Sequence, residues 1–204
     1  MLRSNKGQAP EELIQIQQNP RVQNWSDLNL SEEFQILRKL LREHMLQHEQ
    51  SGYCIYCETL ILHDVGSDEN KNSSIEHIKP RDRFPQHVFE YDNLVVSCCS
   101  KFSCTTYKAN LWDELFIHPV NEDPGAFFDY CFDTGEITPK ADLNESAHAK
   151  ALKTIEMLNL NELKLKNARK TTILNIRHLT DRASEDFNFY RVFPSLIAAY
   201  QESL

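Results

Sequence analysis

At 204 residues, with 41% hydrophobic and 25% charged side chains, the chain has the composition of an ordinary globular protein, with material for one full core or two small ones. No apolar run is long enough to span a membrane and residues 1–20 carry no basic-then-apolar leader, so the six cysteines are expected in a reducing, cytoplasmic setting that favours a zinc site over a disulfide framework. Thirty acidic against 22 basic side chains leave a net charge of −8, which works against unaided binding of nucleic acid: either the basic residues cluster, or a partner supplies the grip.

In chain order, residues 1–30 are polar and broken by Pro10 and Pro20, with room for a short helix over 11–17; the stretch reads as an arm that docks on something. Ser31 is the expected N-cap of a helix running to about residue 48, with Glu32 and Glu33 in its first turn and Phe34, Leu37, Leu40, Leu41 and Met45 as one apolar stripe. His44 and His48 stand one turn apart on it, but without a third donor nearby they read as solvated or core-edge histidines. Residues 59–62 suit a short strand and 64–74 a polar loop. Two further strands are expected over 74–78 and 93–97, joined by a loop containing Pro80 and Pro85, and a helix just after Cys104 should carry Lys108 and residues 111–115.

Beyond Pro119 the composition shifts. Residues 126–132 and 136–138 read as a hairpin around Asp133-Thr134-Gly135, with Cys131 a small buried hydrophobe on its first strand. Two helices are expected over 146–158 and 161–178, the second capped by Asn161 and lined by Leu163, Leu165, Ala168, Ile173 and Ile176. That second helix carries Lys164, Lys166, Arg169, Lys170 and Arg177 against the single acid Glu162. In an acidic chain this is the candidate phosphate-facing surface, with Lys164, Arg169 and Lys170 as nucleic-acid ligands; the alternative is a plain solvated face. A last helix is expected from 194 to 204, with Leu196, Ile197 and Tyr200 inward.

The chemistry concentrates between Cys54 and Lys108. Cys54-Ile55-Tyr56-Cys57 is a two-thiolate hook, and Cys104 with Cys98 or Cys99 supplies a second pair, enough to close a tetrahedral, structural zinc site. Between the pairs stand Glu76-His77 and Asn93. A neutral imidazole can take a proton from water, and a carboxylate beside it can hold a divalent cation that stabilises a phosphorane and its leaving oxygen. Those are the parts of a phosphodiesterase. His77 taken alone would more simply be a satisfied core histidine.

Together, Cys54-x-x-Cys57, Glu76-His77-x-x-Pro80, Asn93-Leu94-x-x-x-Cys98 and Cys104-x-x-x-Lys108 resemble an HNH (ββα-metal) endonuclease domain, over about a quarter of the chain. The longer context, including Thr154-Ile-Glu-Met-Leu-Asn-Leu-Asn161 after the hairpin, is similar to the PtuB family, the HNH subunits of Septu anti-phage systems that also accompany some retrons. The resemblance implies an α+β fold with a zinc-pinned ββα-metal core over 51–118 and mainly helical extensions: an N-terminal arm and helix over 1–50, and a hairpin and helical region over 119–204. It implies His77 as general base, Glu76 as acidic ligand of a catalytic Mg²⁺ or Mn²⁺, Asn93 as the residue that holds the loop and orients His77, and Lys108 as a lysine near the scissile phosphate. Cys54, Cys57, Cys98 and Cys104 match structural Zn²⁺ ligands. The implied partners are a nucleic-acid substrate, a PtuA-like ATPase and, in a retron, a reverse transcriptase with its RNA–DNA product.

The sequence departs from the family at two places. The spacing from Cys98 to Cys104 is stretched, so Cys99 competes with Cys98 as third zinc ligand. Thr105 stands where the family has a His or Asn metal ligand, so Glu76 with water, or a further side chain such as Asp92, would hold the ion, or cleavage is impaired. Two functions follow: an active nuclease effector, or a zinc-stabilised docking module whose site has decayed. A redox role for Cys54-x-x-Cys57 is set aside on account of the second cysteine pair and the histidine.

Overall fold

In the computed structural model, which describes residues 1–61, 72–180 and 192–204, the core is built on an antiparallel pair, β1 (Ser73–His77) and β2 (Leu94–Cys98), in the register Ser74↔Ser97, Glu76↔Val95 and His77↔Leu94. Leu94, Val95, Val96 and Ser97 are all buried, so both faces of β2 are covered, and its second edge is closed by a side chain: the Gln50 amide donates to the Val96 carbonyl at 2.8 Å and accepts from its N–H at 2.7 Å. A glutamine standing in for a strand satisfies backbone groups that would otherwise offer a free pairing edge.

The N-terminal arm docks on this chain's own core. Helix α1 (Glu11–Gln18) buries Leu13 and Ile16 against α2 (Glu32–His44), and the backbone of residues 2 and 4 bonds to Ile55 and Pro119. Ser31 caps α2 by accepting from Phe34 N–H, as its position predicts, and the helix runs into a single π turn, Met45–Glu49. Phe34, Leu41 and Met45 are buried, whereas Leu40 faces solvent. Instead of a strand over 59–62 there is one isolated bridge, Tyr53↔Leu60; Leu62 and the stretch 64–71 of the expected loop lie outside the described residues.

Helix α3 (Cys104–Lys108) is a five-residue turn, not a helix reaching 115, because Ala109 at φ 45° ends it. The chain then crosses irregularly to a second hairpin, β3 (Phe128–Cys131) and β4 (Glu136–Pro139), close to its predicted bounds. Cys131 on it is half-exposed, which corrects its expected burial. Three helices complete the described chain: α4 (Glu145–Leu158), α5 (Leu163–Thr180) and α6 (Pro194–Glu202), the last burying Leu196, Ile197 and Tyr200 as expected. Among the described residues no helix is long and apolar enough to cross a membrane.

The stretch 154–161 stitches these parts together. Thr154 Oγ1 accepts from Ile117 N–H at 2.9 Å, the Asn159 amide donates to the Phe102 carbonyl at 2.8 Å, and Asn161 bonds both backbone groups of Ile137 at 2.9 Å. Asn161 therefore serves β4 rather than capping α5, and Glu162 takes the cap role by accepting from the N–H groups of Lys164 and Leu165. Asn144 caps α4 by accepting from Ala147 N–H, one residue before the helix begins at Glu145.

The basic surface expected on α5 is broken at its centre. Arg169 is 2% exposed and donates to the carbonyls of Gly135 (2.8 Å) and Leu160, while Lys166 pairs with Glu136 and Arg177 with Asp133. Of the three residues expected to contact phosphate, Lys164 and Lys170 face solvent. Leu163 and Ala168, expected inward, do so too. Gly135, at φ 75°, lets the hairpin turn lie against α5: a Cβ there would stand 2.1 Å from the Lys166 carbonyl oxygen. Arg169→Ala would strand two carbonyls and is expected to cost roughly 3 kcal/mol in chemical denaturation. A loss under about 0.5 kcal/mol, the usual range for surface positions, would show that Arg169 is not the strut described.

Candidate active site and metal centre

The hook at Cys54 turns back on itself through Glu58, held at φ 62°, whose N–H bonds the Cys54 carbonyl at 3.1 Å. Strand β2 delivers Cys98 and the start of α3 delivers Cys104. The four sulfurs of Cys54, Cys57, Cys98 and Cys104 lie within 4.8 Å of one another, with Cys54–Cys104 at 3.9 Å and Cys57–Cys98 at 3.7 Å. A tetrahedron with zinc–sulfur bonds of about 2.3 Å has edges of about 3.8 Å, so the quartet could hold a metal ion and is compatible with zinc. The Cys98 N–H points at Cys54 Sγ at 3.3 Å, the kind of outer contact that orients and stabilises a thiolate ligand. Cys99 stands outside the quartet, half-buried, with its N–H bonded to Asn72.

Strand β1 runs from beside this quartet to Glu76 and His77. His77 is 6% exposed, and its Nε2 meets the Val88 carbonyl oxygen at 3.0 Å. A carbonyl only accepts, so Nε2 carries the proton and Nδ1 keeps its lone pair. Burial pushes the His77 pKa down to about 4, with the charges of Arg81 and Lys108 acting in the same direction, so the ring is a neutral proton acceptor at pH 7. Trp25, from a 3₁₀ turn of the N-terminal arm (Trp25–Asn29), packs edge to face on the imidazole at 4.6 Å. The arm thus forms one wall of the site.

Asn93 ties the loop that carries the Val88 carbonyl. Its Oδ1 accepts from Lys79 N–H at 2.7 Å, and its Nδ2 donates to the carbonyls of Lys79 (3.2 Å) and His87 (3.0 Å). Buried at the end of a short 3₁₀ turn, it ties the start of the β1–β2 connection to the stretch before Val88 through bonds to backbone groups.

Both oxygens of Glu76 are engaged. Oε1 accepts from Lys108 Nζ at 2.8 Å and faces the Tyr56 hydroxyl at 3.4 Å, while Oε2 accepts from the Thr105 hydroxyl. Lys108 is 0% exposed; its ammonium also lies 3.4 Å from the His77 carbonyl and 5.9 Å from the Phe116 ring centroid. A buried ammonium needs such a counter-ion, so the pair holds α3 onto β1. Among the described residues the four cysteines form the one convergent group of three or more Cys, His, Asp or Glu donors, so neither Asp92 nor the His44–His48 pair, whose rings are 5.0 Å apart, completes a further metal cluster.

The structure therefore brings Glu76, His77, Asn93 and Lys108 into one place beside the cysteine quartet, and leaves Lys164, Arg169 and Lys170 on α5. One feature of the site has a sequence signal outside the expected set: Lys79-Pro80-Arg81-Asp82-Arg83-Phe84 puts three cations within five residues of a net-acidic chain, directly after His77.

No protein-family model matches the chain. It is, however, 32% identical over 150 residues to a Vibrio cholerae (serotype O1 biovar El Tor) protein named, by assignment, as the HNH endonuclease of retron Vc95, spanning 69% of this chain and 67% of that one. The chain belongs to the HNH endonuclease family. A second relative, from Escherichia coli and named in the same way as the HNH endonuclease of retron Ec83, is 26% identical over 216 aligned positions, covering 87% of this chain and 81% of the relative.

Proposed function

We propose that the chain is an endonuclease that hydrolyses phosphodiester bonds of DNA or RNA, with residues 51–118 as its ββα-metal core, and that it is the effector subunit of a retron-associated anti-phage assembly. The observation that supports this most directly is a buried histidine whose Nδ1 is left as a proton acceptor, at the end of the strand that also carries Glu76. In this reading His77 takes a proton from the attacking water, Asn93 keeps the surrounding loop in place, and Lys108 places positive charge beneath the scissile phosphate. The retron setting comes from the names of the two relatives. The net charge of −8 supports partners that share the grip on substrate: a PtuA-like ATPase, and a reverse transcriptase with its RNA–DNA product. Lys164 and Lys170 are left as outlying phosphate contacts.

A divalent ion, when bound, would stabilise charge on the phosphate and its leaving oxygen. The oxygens that meet at Glu76 and Thr105 suit a hard cation such as Mg²⁺ or Mn²⁺, with water and substrate completing its shell. Lys108 holds Oε1, so ion and ammonium compete for one carboxylate. Lys108→Met should therefore tighten Mn²⁺ binding to zinc-loaded protein about tenfold or more, and Glu76→Gln should abolish it, as read by titration calorimetry without substrate. Equal affinity in wild type and Lys108→Met would remove the competition.

The engagement of both Glu76 oxygens also favours a second reading, a docking module that binds an ATPase or nucleic acid without cutting. Assay of the complete assembly with Mg²⁺, on labelled single- and double-stranded DNA and RNA, separates the two. Cleavage that follows divalent-ion concentration supports the nuclease; binding without cleavage supports the docking module.

A further inference from the structure

The segment that leaves His77 does more than connect two strands. Arg81 and Arg83 are exposed and Lys79 half-exposed, and the segment folds so that Phe84 meets Trp112 edge to face at 5.6 Å. Lys79 Nζ lies 5.7 Å from the centroid of each ring, and Arg83 lies 5.8 Å from Phe84 while donating to the Trp112 carbonyl at 3.1 Å. Trp112 is brought there by the early end of α3 at Ala109; a helix continued to 115 would carry it elsewhere. The neighbouring acids are engaged: Asp82 accepts from the Asn110 amide at 2.6 Å, Glu114 from the Trp112 indole at 3.0 Å, Asp113 from Leu115 N–H at 2.9 Å, and Glu90 pairs with His87. These carboxylates keep their charge but each is held by a donor, while Arg81 and Arg83 stand exposed beside the half-buried rings, Arg81 four residues from the candidate base. The charge of Arg81 is felt at His77, which sets the two within electrostatic reach.

We propose that Lys79, Arg81 and Arg83, together with the Phe84–Trp112 ring pair, form a binding surface for single-stranded nucleic acid. The cations take successive phosphates and an unpaired base packs against the rings. Duplex is disfavoured because a paired base is stacked on both faces and cannot reach a ring without being extruded. Delivery of a phosphodiester to His77 rests on the nuclease reading; the binding itself does not. DNA and RNA strands share the chemistry of phosphate and π face.

The test is fluorescence anisotropy at several salt concentrations, on the full zinc-loaded chain carrying His77→Asn so that nothing is cut, with labelled 20-nucleotide dT, 20-nucleotide U and a 20-base-pair duplex. The parent should bind at least one single strand about tenfold or more tighter than duplex, and whichever of the dT and U strands is favoured shows which of the two classes of strand the surface prefers. Arg81→Glu with Arg83→Glu should weaken that binding about a hundredfold and make the slope of log affinity against log salt shallower by about 1.4, the loss of two single-strand phosphate contacts. Phe84→Leu, which keeps an apolar side chain in place, should weaken it about tenfold with the salt slope unchanged. Lys39→Glu with Lys153→Glu makes the same change in net charge on α2 and α4 and should leave binding within twofold. Equal affinity for duplex and single strands, failure of the parent to bind any strand at low salt, or loop variants that bind like the parent would each overturn the proposal. Normal binding by the loop variants alongside loss of cleavage in His77→Asn would sink this surface and spare the nuclease reading. The reverse pattern, binding lost in the variants while His77→Asn still cuts, would spare the surface and sink the nuclease.

Discussion

His77→Ala is expected to lower cleavage by at least a factor of about 100, and by as much as about 10,000, the range general bases contribute, while the cysteine quartet keeps its metal. The imidazole is buried and supports Trp25, so the alanine variant also opens a cavity under the arm and should lose some stability. His77→Asn separates the two effects. An asparagine amide can still donate to the Val88 carbonyl, which keeps the loop pinned, but it cannot accept a proton from water at neutral pH. Loss of cleavage in both variants, with thermal unfolding of His77→Asn close to wild type, assigns the defect to chemistry. Cleavage by His77→Asn at the wild-type rate would end the nuclease assignment and leave the docking module.

The second large effect is expected from the sulfur quartet. Cys57→Ser or Cys104→Ser should yield protein without stoichiometric zinc and without cooperative unfolding, because a structural zinc contributes on the order of 10 kcal/mol, comparable to the whole stability of a typical domain. The hook also anchors parts far from it in sequence. Glu58, next to Cys57, accepts from Ser195 N–H at 2.7 Å through its carboxylate and from Phe193 N–H at 3.0 Å through its carbonyl, and it pairs with the Met1 ammonium. Losing the metal should thus loosen α6 and the arm along with the hook. Cys99→Ser and Cys131→Ser lie outside the quartet and should keep about one zinc per chain in elemental analysis. Well-folded wild-type protein that contains no zinc would refute the metal centre.

Local signals carry much of the architecture. Ser31 caps α2 where a short side-chain acceptor precedes two glutamates, and the Asp133-Thr134-Gly135 turn closes β3 on β4, because caps and turns are decided by a few neighbouring residues. The cysteine quartet is legible for a related reason: thiols in close pairs have few other roles in a chain of this composition. Spacing alone does not choose between Cys98 and Cys99. The structure does: Cys98, the last residue of β2, puts its sulfur in the quartet, and Cys99, just past the strand, stands outside it.

The basic helix shows how linear counting misleads. Arg169 stands at helical spacing from Leu165, Thr172, Ile173 and Ile176, all buried, so it lies in the inward stripe of α5 despite its charge. Periodicity holds that information; a tally of lysines and arginines does not. The segment 79–84 has the opposite character, short but carrying two exposed arginines within six residues of His77.

By itself the sequence determined the elements that depend on neighbours: the helix capped by Ser31, the two hairpins and the paired thiols. Tertiary structure alone decided that Trp25 walls His77 from 52 positions away, that Lys108 and Thr105 occupy the carboxylate of Glu76, and that α3 stops at Ala109 and so lays Trp112 beside Phe84. Those contacts depend on how separate segments close around a shared core, and a buried charge such as Lys108 or Arg169 is tolerated only when that closure brings it a partner, which no local pattern encodes.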